Sequence, residues 1–255
     1  MSDRAKKILI PLPTYGFDPT EVSIPWKILT DAGKIVVFAT PDGAIGTPDD
    51  IMVTGKGLGI WKPLLRARSD AVDAYHAMKE SGAFKKPVKY ADVKEADYDA
   101  LYLPGGHDKR VKEYLESPKL QQTTVDFFKA DKPVAAICHG VVVAARSIDP
   151  ATGKSVIHGY QTTALLKKLE RSGYSLTRLW MGDYYLTYPA TTVEDEVRAA
   201  LAGDDDFIEG PPAVFRDTPE KLQRGFTVKD RNYISARWPG DAYSCAIEFD
   251  KMIDA

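Results

Sequence analysis

The sequence predicts an α/β protein with a mostly parallel sheet sandwiched by helices. Short apolar runs alternate with helix-like segments through residues 1–150. Such alternation is typical of parallel strands covered on both faces. Cys138 directly follows one apolar run and precedes a helix-like segment. Open α/β sheets place their functional side chains at such positions, at the carboxyl ends of the strands.

The apolar runs predict four strands, and capping and turn residues delimit the helices between them. The predicted strands are 8–12, 34–40, 99–103 and 133–137. The predicted helices are 20–31, 69–80, 117–130 and 141–145. Near the end of the chain, 226–229 and 233–236 predict a hairpin, and 241–253 predicts a closing helix.

Two stretches are less regular and are expected to decorate one sheet. The first, 41–96, opens with a Gly-, Pro- and Asp-rich loop. The second, 174–212, carries an aromatic group and then an acidic helix near 193–202. Neither stretch has the appearance of a separate unit, so residues 1–255 are predicted to form a single domain.

Composition excludes several classes of function. The composition, 44% hydrophobic and 27% charged, is ordinary for a globular protein. The net charge of −2 shows no excess of basic residues that would bind nucleic acid. It lacks the apolar run of about 20 residues that spans a membrane, and its N-terminus does not read as a signal peptide. A cytoplasmic location is therefore expected. Two cysteines and four histidines without paired spacing predict neither a disulfide nor a metal site.

Cys138 is the main candidate for a functional side chain. The turn at 138–140 would expose the thiol beside the N-terminus of the next helix, whose amides and dipole favour thiolate over thiol. A depressed thiol pKa is therefore expected. The same amides can stabilise an oxyanion. The alternative is a buried structural cysteine, but the surrounding turn residues favour a functional one.

Two further features lie close to Cys138 in the predicted fold. Gly105 and Gly106 end another strand, where glycine lets a backbone amide point into a pocket. His139 follows the thiol and can act as a general base if the turn brings its ring to the substrate side. Without Cys138 these features would read as a plain turn and a surface histidine.

Three segments, taken in order, resemble the ThiJ/PfpI superfamily. They are EVSIP at 21–25, LPGGH at 103–107 and AAICHG at 135–140. The resemblance implies the flavodoxin-like fold of class I glutamine amidotransferases. The inserted stretches resemble the larger branch of this superfamily, which includes glutathione-independent glyoxalase III and chaperone-like stress proteins.

The resemblance also implies roles for individual residues. Cys138 would be the nucleophile, Glu21 the acidic neighbour of its sulfur, and His139 the base. The amides of Gly106 and His139 would form the oxyanion site. A protonated Glu21 could donate a hydrogen bond to the thiolate, whereas its structural alternative is a first-turn glutamate that favours the helix dipole.

One departure concerns the acid that orients the histidine in the larger branch. The corresponding region, 158–163, contains no carboxylate. Asp183 in the second inserted stretch is the first candidate to replace it, and Glu194 is another. Asp183 could instead only shape a Gly-Asp turn.

The sequence leaves several functions open. The first is an enzyme of the glyoxalase III or deglycase type that acts on small carbonyl compounds such as methylglyoxal without a cofactor. The second is a cysteine amidase or peptidase that uses the same thiol. The third is a redox-sensing or holdase chaperone protein. A homodimer is possible, and the residues do not decide between the substrates.

Overall fold

A computed structural model describes residues 4–255. In chain order its strands are β1 (Lys7–Pro11), β2 (Tyr15–Phe17), β3 (Ile35–Thr40), β4 (Thr47–Pro48), β5 (Val88–Lys89), β6 (Ala100–Leu103), β7 (Val134–Ile137), β8 (Ile148–Asp149), β9 (Lys154–Ser155), β10 (Thr227–Asp230) and β11 (Tyr233–Ala236). Its helices are α1 (Pro19–Asp31), α2 (Asp50–Thr54), α3 (Lys62–Leu65), α4 (Ser69–Glu80), α5 (Gly82–Lys85), α6 (Lys112–Leu115), α7 (Pro118–Lys129), α8 (Gly140–Arg146), α9 (Lys167–Met181), α10 (Val193–Ala200) and α11 (Ala242–Ile253).

Seven strands form the central sheet in the order β10-β11-β7-β6-β1-β3-β5. All neighbouring strands are parallel except the β10–β11 hairpin. Helices α1, α4 and α11 pack together, and α7, α8 and α10 form a second group, so that helices flank the sheet. The predicted fold class is therefore confirmed.

The four central strands are buried along almost their whole length, which explains their continuous apolar character. Their observed ends differ from the predicted ones by one residue at most. The apolar side chains of sheet and helices form one continuous buried cluster. Among residues 4–255, none of the helices combines the length and the apolar character needed to cross a bilayer.

Helix α1 begins where its local sequence predicts. The Asp18 side chain accepts hydrogen bonds from the amides of Thr20 and Glu21, at 2.8 and 3.1 Å. Pro19 occupies the first helical position, where its missing N–H costs no hydrogen bond. This cap fixes the first turn of α1, which carries Glu21 into the interior.

The two inserted stretches are more regular than expected. Residues 41–96 contain the predicted helix α4, three short helices that were not predicted, α2, α3 and α5, and β5, the edge strand of the central sheet. The largest difference is α9, which extends into the stretch predicted to be irregular. Its buried positions are Glu170, Gly173 and Thr177. The helix is nevertheless amphipathic, with Leu169 and Leu176 lining a cavity, so the sequence carries a helical periodicity there that the prediction missed.

A buried ion pair joins the end of the sheet to the last helix. Arg237 and Asp241 are almost fully buried, with two side-chain hydrogen bonds of 2.9 and 3.0 Å between them. Asp241 also accepts the amide of Phe226 at 3.0 Å. The charges are thus well paired and hydrogen-bonded, as a buried ion pair requires.

Asp241→Asn is expected to lower the free energy of unfolding by about 3–5 kcal/mol, because it leaves the Arg237 charge buried without its partner. Urea denaturation at neutral pH measures this. The control is Asp31→Asn, which breaks the Lys27–Asp31 pair of the same sequence spacing but with side chains 54% and 65% exposed. The control should lose less than about 1 kcal/mol. Equal losses in both variants would contradict the assignment.

Candidate active site

Cys138 lies in a tight turn between β7 and α8. Its φ is 56°, in the left-handed region, and its amide donates to the carbonyl of Ala236 at 3.0 Å. Such a conformation costs a non-glycine residue about 1–3 kcal/mol and is found at functional sites. A side chain at Gly140 would overlap the carbonyl of Leu103. The turn therefore packs directly against the end of β6, and only glycine permits this.

Glu21 reaches the same turn from α1. Its side chain is fully buried, and Oε2 accepts the amide of Gly105 at 2.9 Å. Oε1 is buried without a partner of good hydrogen-bond geometry, and the Cys138 thiol is the polar group beside this carboxyl. A Cβ atom on Gly105 would lie 2.7 Å from Oε2. The same atom would lie 3.0 Å from the Cβ atom of Cys138, so Glu21 and Cys138 both pack against Gly105.

The environment raises the pKa values of both groups. Burial, and secondly the charge of Asp18, hold the pKa of Glu21 well above its ordinary value. Burial, and then the charges of Glu21 and Asp18, raise the pKa of Cys138 well above its ordinary value, although the His139 amide opposes this shift. The expectation of a depressed thiol pKa is wrong, because burial beside carboxyl groups outweighs the helix N-terminus.

The ring of His139 is buried between the thiol and a hydroxyl. Nδ1 lies 3.4 Å from Cys138 Sγ, and Nε2 lies 3.0 Å from Thr187 Oγ1. The Thr187 hydroxyl donates its only proton to the carbonyl of His107, at 2.7 Å. Thr187 must therefore accept from Nε2–H. This network assigns the proton to Nε2 and leaves Nδ1 as a lone-pair acceptor that faces the thiol.

Burial also determines the charge of His139. It lowers the pKa of the imidazole to about 3, with smaller contributions from the positive charges of His107 and Arg146. At neutral pH the ring is therefore uncharged. A neutral ring with a fixed tautomer can take a proton at Nδ1 when negative charge develops beside it.

Asp183 does not lie beside His139, contrary to the sequence expectation. Its side chain is half exposed and pairs with Lys109 Nζ at 2.6 Å. This ion pair, with the exposed position just after α9, places the carboxylate at the surface. The prediction that Asp183 orients His139 is therefore wrong.

The inserted stretch nevertheless supplies the partner of His139. Thr187 is fully buried and occupies the position expected for an acid. Glu194, the other acidic candidate, instead pairs with Arg198 at 3.0 Å. A single threonine in an aromatic segment carries no sequence signal of this role, so the sequence analysis missed it.

A cavity of about 350 Å³ opens above the thiol. Gly106 and His107 line it, as does Arg216, a residue that the sequence analysis did not single out. Gly106 therefore lies on the side of the cavity, and its amide remains a candidate for the oxyanion site. Among residues 4–255, no group of three or more His, Cys, Asp or Glu side chains is placed to hold a metal ion.

Comparisons with known proteins agree with this geometry. The chain is 28% identical over 179 residues to an uncharacterised protein of Schizosaccharomyces pombe, with 67% of the chain and 63% of that protein covered. It is 24% identical over 201 residues to a deglycase of Thermococcus kodakarensis, with 75% and 89% covered. The chain spans less than two thirds of the length of the first curated relatives it matches.

Solved structures share the fold. Glyoxalase III from Candida albicans superimposes with a TM-score of 0.69 at 20% identity, with 97% of both chains covered. The model of the family described as ThiJ/PfpI family-like matches residues 12–211. That match includes Glu21, the glycine turn at 105–106 and the Cys138 elbow. The chain therefore belongs to the ThiJ/PfpI family.

Proposed function

We propose that the protein is a cysteine-dependent enzyme of the glyoxalase III or deglycase type that acts on 2-oxoaldehydes such as methylglyoxal. The observation that carries this proposal is the position of Cys138 Sγ, between the buried carboxyl of Glu21 and the unprotonated Nδ1 of His139. Relatives with these activities, a deglycase and a glyoxalase III, support the same class of substrate.

The reaction begins when Sγ adds to the aldehyde carbon, C1. The carboxylate of Glu21 takes the thiol proton, and its raised pKa makes it a stronger base than an ordinary glutamate. The amides of Gly106 and His139 stabilise the oxygen that becomes negative. The product of this step is a hemithioacetal on Cys138.

Proton transfer within the adduct follows. Nδ1 of His139 lies 3.4 Å from the sulfur to which C1 is bonded in the adduct. It removes the C1 proton, and the negative charge of the enediolate offsets the charge on the ring. Nδ1 returns this proton to C2, and the hydroxyl proton moves from the C1 oxygen to the C2 oxygen, which leaves a 2-hydroxyacyl thioester and a neutral ring. Water then hydrolyses this thioester, which releases the 2-hydroxy acid and restores the thiol.

Amide hydrolysis fits the site less well. Expulsion of an amine needs a group that donates a proton to the leaving nitrogen. The pKa of His139, lowered to about 3, leaves the ring without a proton on Nδ1 at neutral pH. Addition to an aldehyde needs no such donor, so the ionisation of this site favours carbonyl chemistry.

Cys138→Ala is expected to reduce turnover of methylglyoxal by about a thousandfold or more, because it removes the nucleophile. Formation of lactate measures turnover. Cys245→Ala is the matched control, since Cys245 lies buried in α11, outside the lining of the cavity. Substantial lactate formation by Cys138→Ala would refute the proposal.

Glu21→Gln is expected to change two properties in opposite directions. Without the carboxylate charge that raises the pKa of Cys138, the thiol should titrate at lower pH and react faster with iodoacetamide at neutral pH. Turnover of methylglyoxal should fall, because glutamine cannot accept the thiol proton. The rate of alkylation as a function of pH and steady-state kinetics measure these effects. A thiol pKa that rises in the variant would show instead that Glu21 stabilises the thiolate by donating a hydrogen bond.

Thr187→Val is expected to lower kcat by about ten- to a hundredfold, because one hydrogen bond of about 1–3 kcal/mol no longer holds the tautomer of His139. Thr187→Ser keeps the hydroxyl and should restore most of the rate, at a similar melting temperature. Asp183→Asn, which breaks only the surface pair with Lys109, should stay within about threefold of the wild type. Equal kcat values for the valine and serine variants would remove Thr187 from the mechanism.

A further inference from the structure

The cavity above Cys138 is larger than methylglyoxal requires. Its volume of about 350 Å³ lies in the range of about 300–1,000 Å³ that is typical of pockets for drug-sized ligands. Much of its wall is apolar and includes Met52, Leu64, Leu65, Leu165, Leu169 and Leu176. The cavity therefore has room for a substrate with a chain attached to its reacting carbonyl.

Arg216 contributes an unused donor to this cavity. Its Nη2 atom donates to the main-chain carbonyls of Leu64 and Leu65, at 3.5 and 3.4 Å. Its Nη1 atom is buried and has no hydrogen-bond partner among residues 4–255. A buried donor of a charged group without an acceptor is costly, so an acceptor supplied by a ligand would stabilise the site.

Tyr185 offers a second unused polar group. Its hydroxyl is buried without a partner in the described part of the chain, and its side chain lines the same cavity as Arg216. The ring stacks on His107 with centroids 4.6 Å apart and planes 11° apart, which fixes its position. Burial raises the pKa of Tyr185, and the charge of Arg216, which lines the same cavity, opposes this shift.

The surroundings hold the Arg216 guanidinium in place. It lies over the ring of Trp238, 5.4 Å from the centroid. Asp18 also lines the cavity, but its Oδ1 atom accepts from the amides of α1, and Arg216 Nη2 donates to main-chain carbonyls instead. Burial raises the pKa of Asp18, and the charge of Arg216 opposes this shift. Arg216 is therefore free to bind an anion in a site that is partly shielded from water.

We propose that Arg216 and Tyr185 bind a carboxylate on the substrate, so that the enzyme prefers acidic 2-oxoaldehydes, in which a short apolar chain joins the carboxylate to the dicarbonyl end. This inference rests on the proposed function for the chemistry at Cys138. It adds a specificity site made of Arg216 and Tyr185, two residues that the reaction at the thiol does not use.

The test compares two substrates that differ only at the end of the chain. They are 4,5-dioxopentanoate and 2-oxopentanal, in which a methyl group replaces the carboxylate. The wild type should show kcat/KM at least about tenfold higher for the acid, the size expected for a charge-assisted hydrogen bond. Arg216→Met should bring the ratio close to one, and Tyr185→Phe should lower it by a smaller factor.

The control variant is Arg224→Met. Arg224 is exposed, lies over Phe215 beside the same segment and is outside the cavity lining, so its substitution should leave the ratio unchanged. A wild-type ratio close to one, with both aldehydes turned over, would overturn the inference while the proposed function stands.

A binding experiment separates the two proposals. Calorimetry of Cys138→Ala with levulinate, an unreactive acid of the same length, should show binding that Arg216→Met in the same background weakens by at least about tenfold. 2-Pentanone, which lacks the carboxylate, should bind more weakly than levulinate. If neither aldehyde is turned over but levulinate binds in this way, the proposed reaction fails and the carboxylate site remains. If levulinate binds no better than 2-pentanone, the carboxylate site is refuted.

Discussion

The left-handed backbone of Cys138 is the constraint on which the rest of the site depends. A non-glycine residue adopts this conformation only when its surroundings enforce it. Here the enforcing contacts are the close approach of Gly140 to the end of β6 and the hydrogen bond from the Cys138 amide to β11. Because the turn packs between β6 and β11, the position of the thiol is fixed. The positions of Glu21 and His139 relative to the thiol are fixed as well.

This arrangement favours a protonated thiol and an uncharged imidazole. Burial raises the pKa values of Glu21 and Cys138 and lowers that of His139. A protonated thiol is a weak nucleophile towards peroxides and other adventitious electrophiles. In the proposed reaction, attack on a bound carbonyl couples bond formation to proton transfer, so negative charge develops on the substrate oxygen and no free thiolate has to form. The low polarity of the site disfavours a free thiolate, and it also strengthens the hydrogen bonds to the substrate oxygen.

The sequence predicted best those structural features that only a few residue types can form. Continuous apolar strands and the glycine turns predicted the sheet and the elbow, and the resemblance pointed to Glu21. It was least informative where the function of a residue depends on tertiary contact. Thr187 acts through a hydroxyl that only the fold brings to His139. Asp183 is predicted to orient His139 because an acid is expected in that role. A neutral imidazole, however, needs only an acceptor for Nε2–H.

The reacting groups and the residues that surround them come from different parts of the chain. Elements of the sheet and α1 supply the thiol, the carboxyl and the oxyanion amides, whereas inserted or connecting segments supply Thr187, Tyr185 and Arg216. The buried side chain of Arg237 links these parts, because it binds carbonyls of the segment before Arg216, at Glu209 and Pro211. If the proposed function holds, substitutions in the outer segments can alter which carbonyl compound is bound while the elbow keeps its geometry. Selectivity and reactivity would then be separable in this protein.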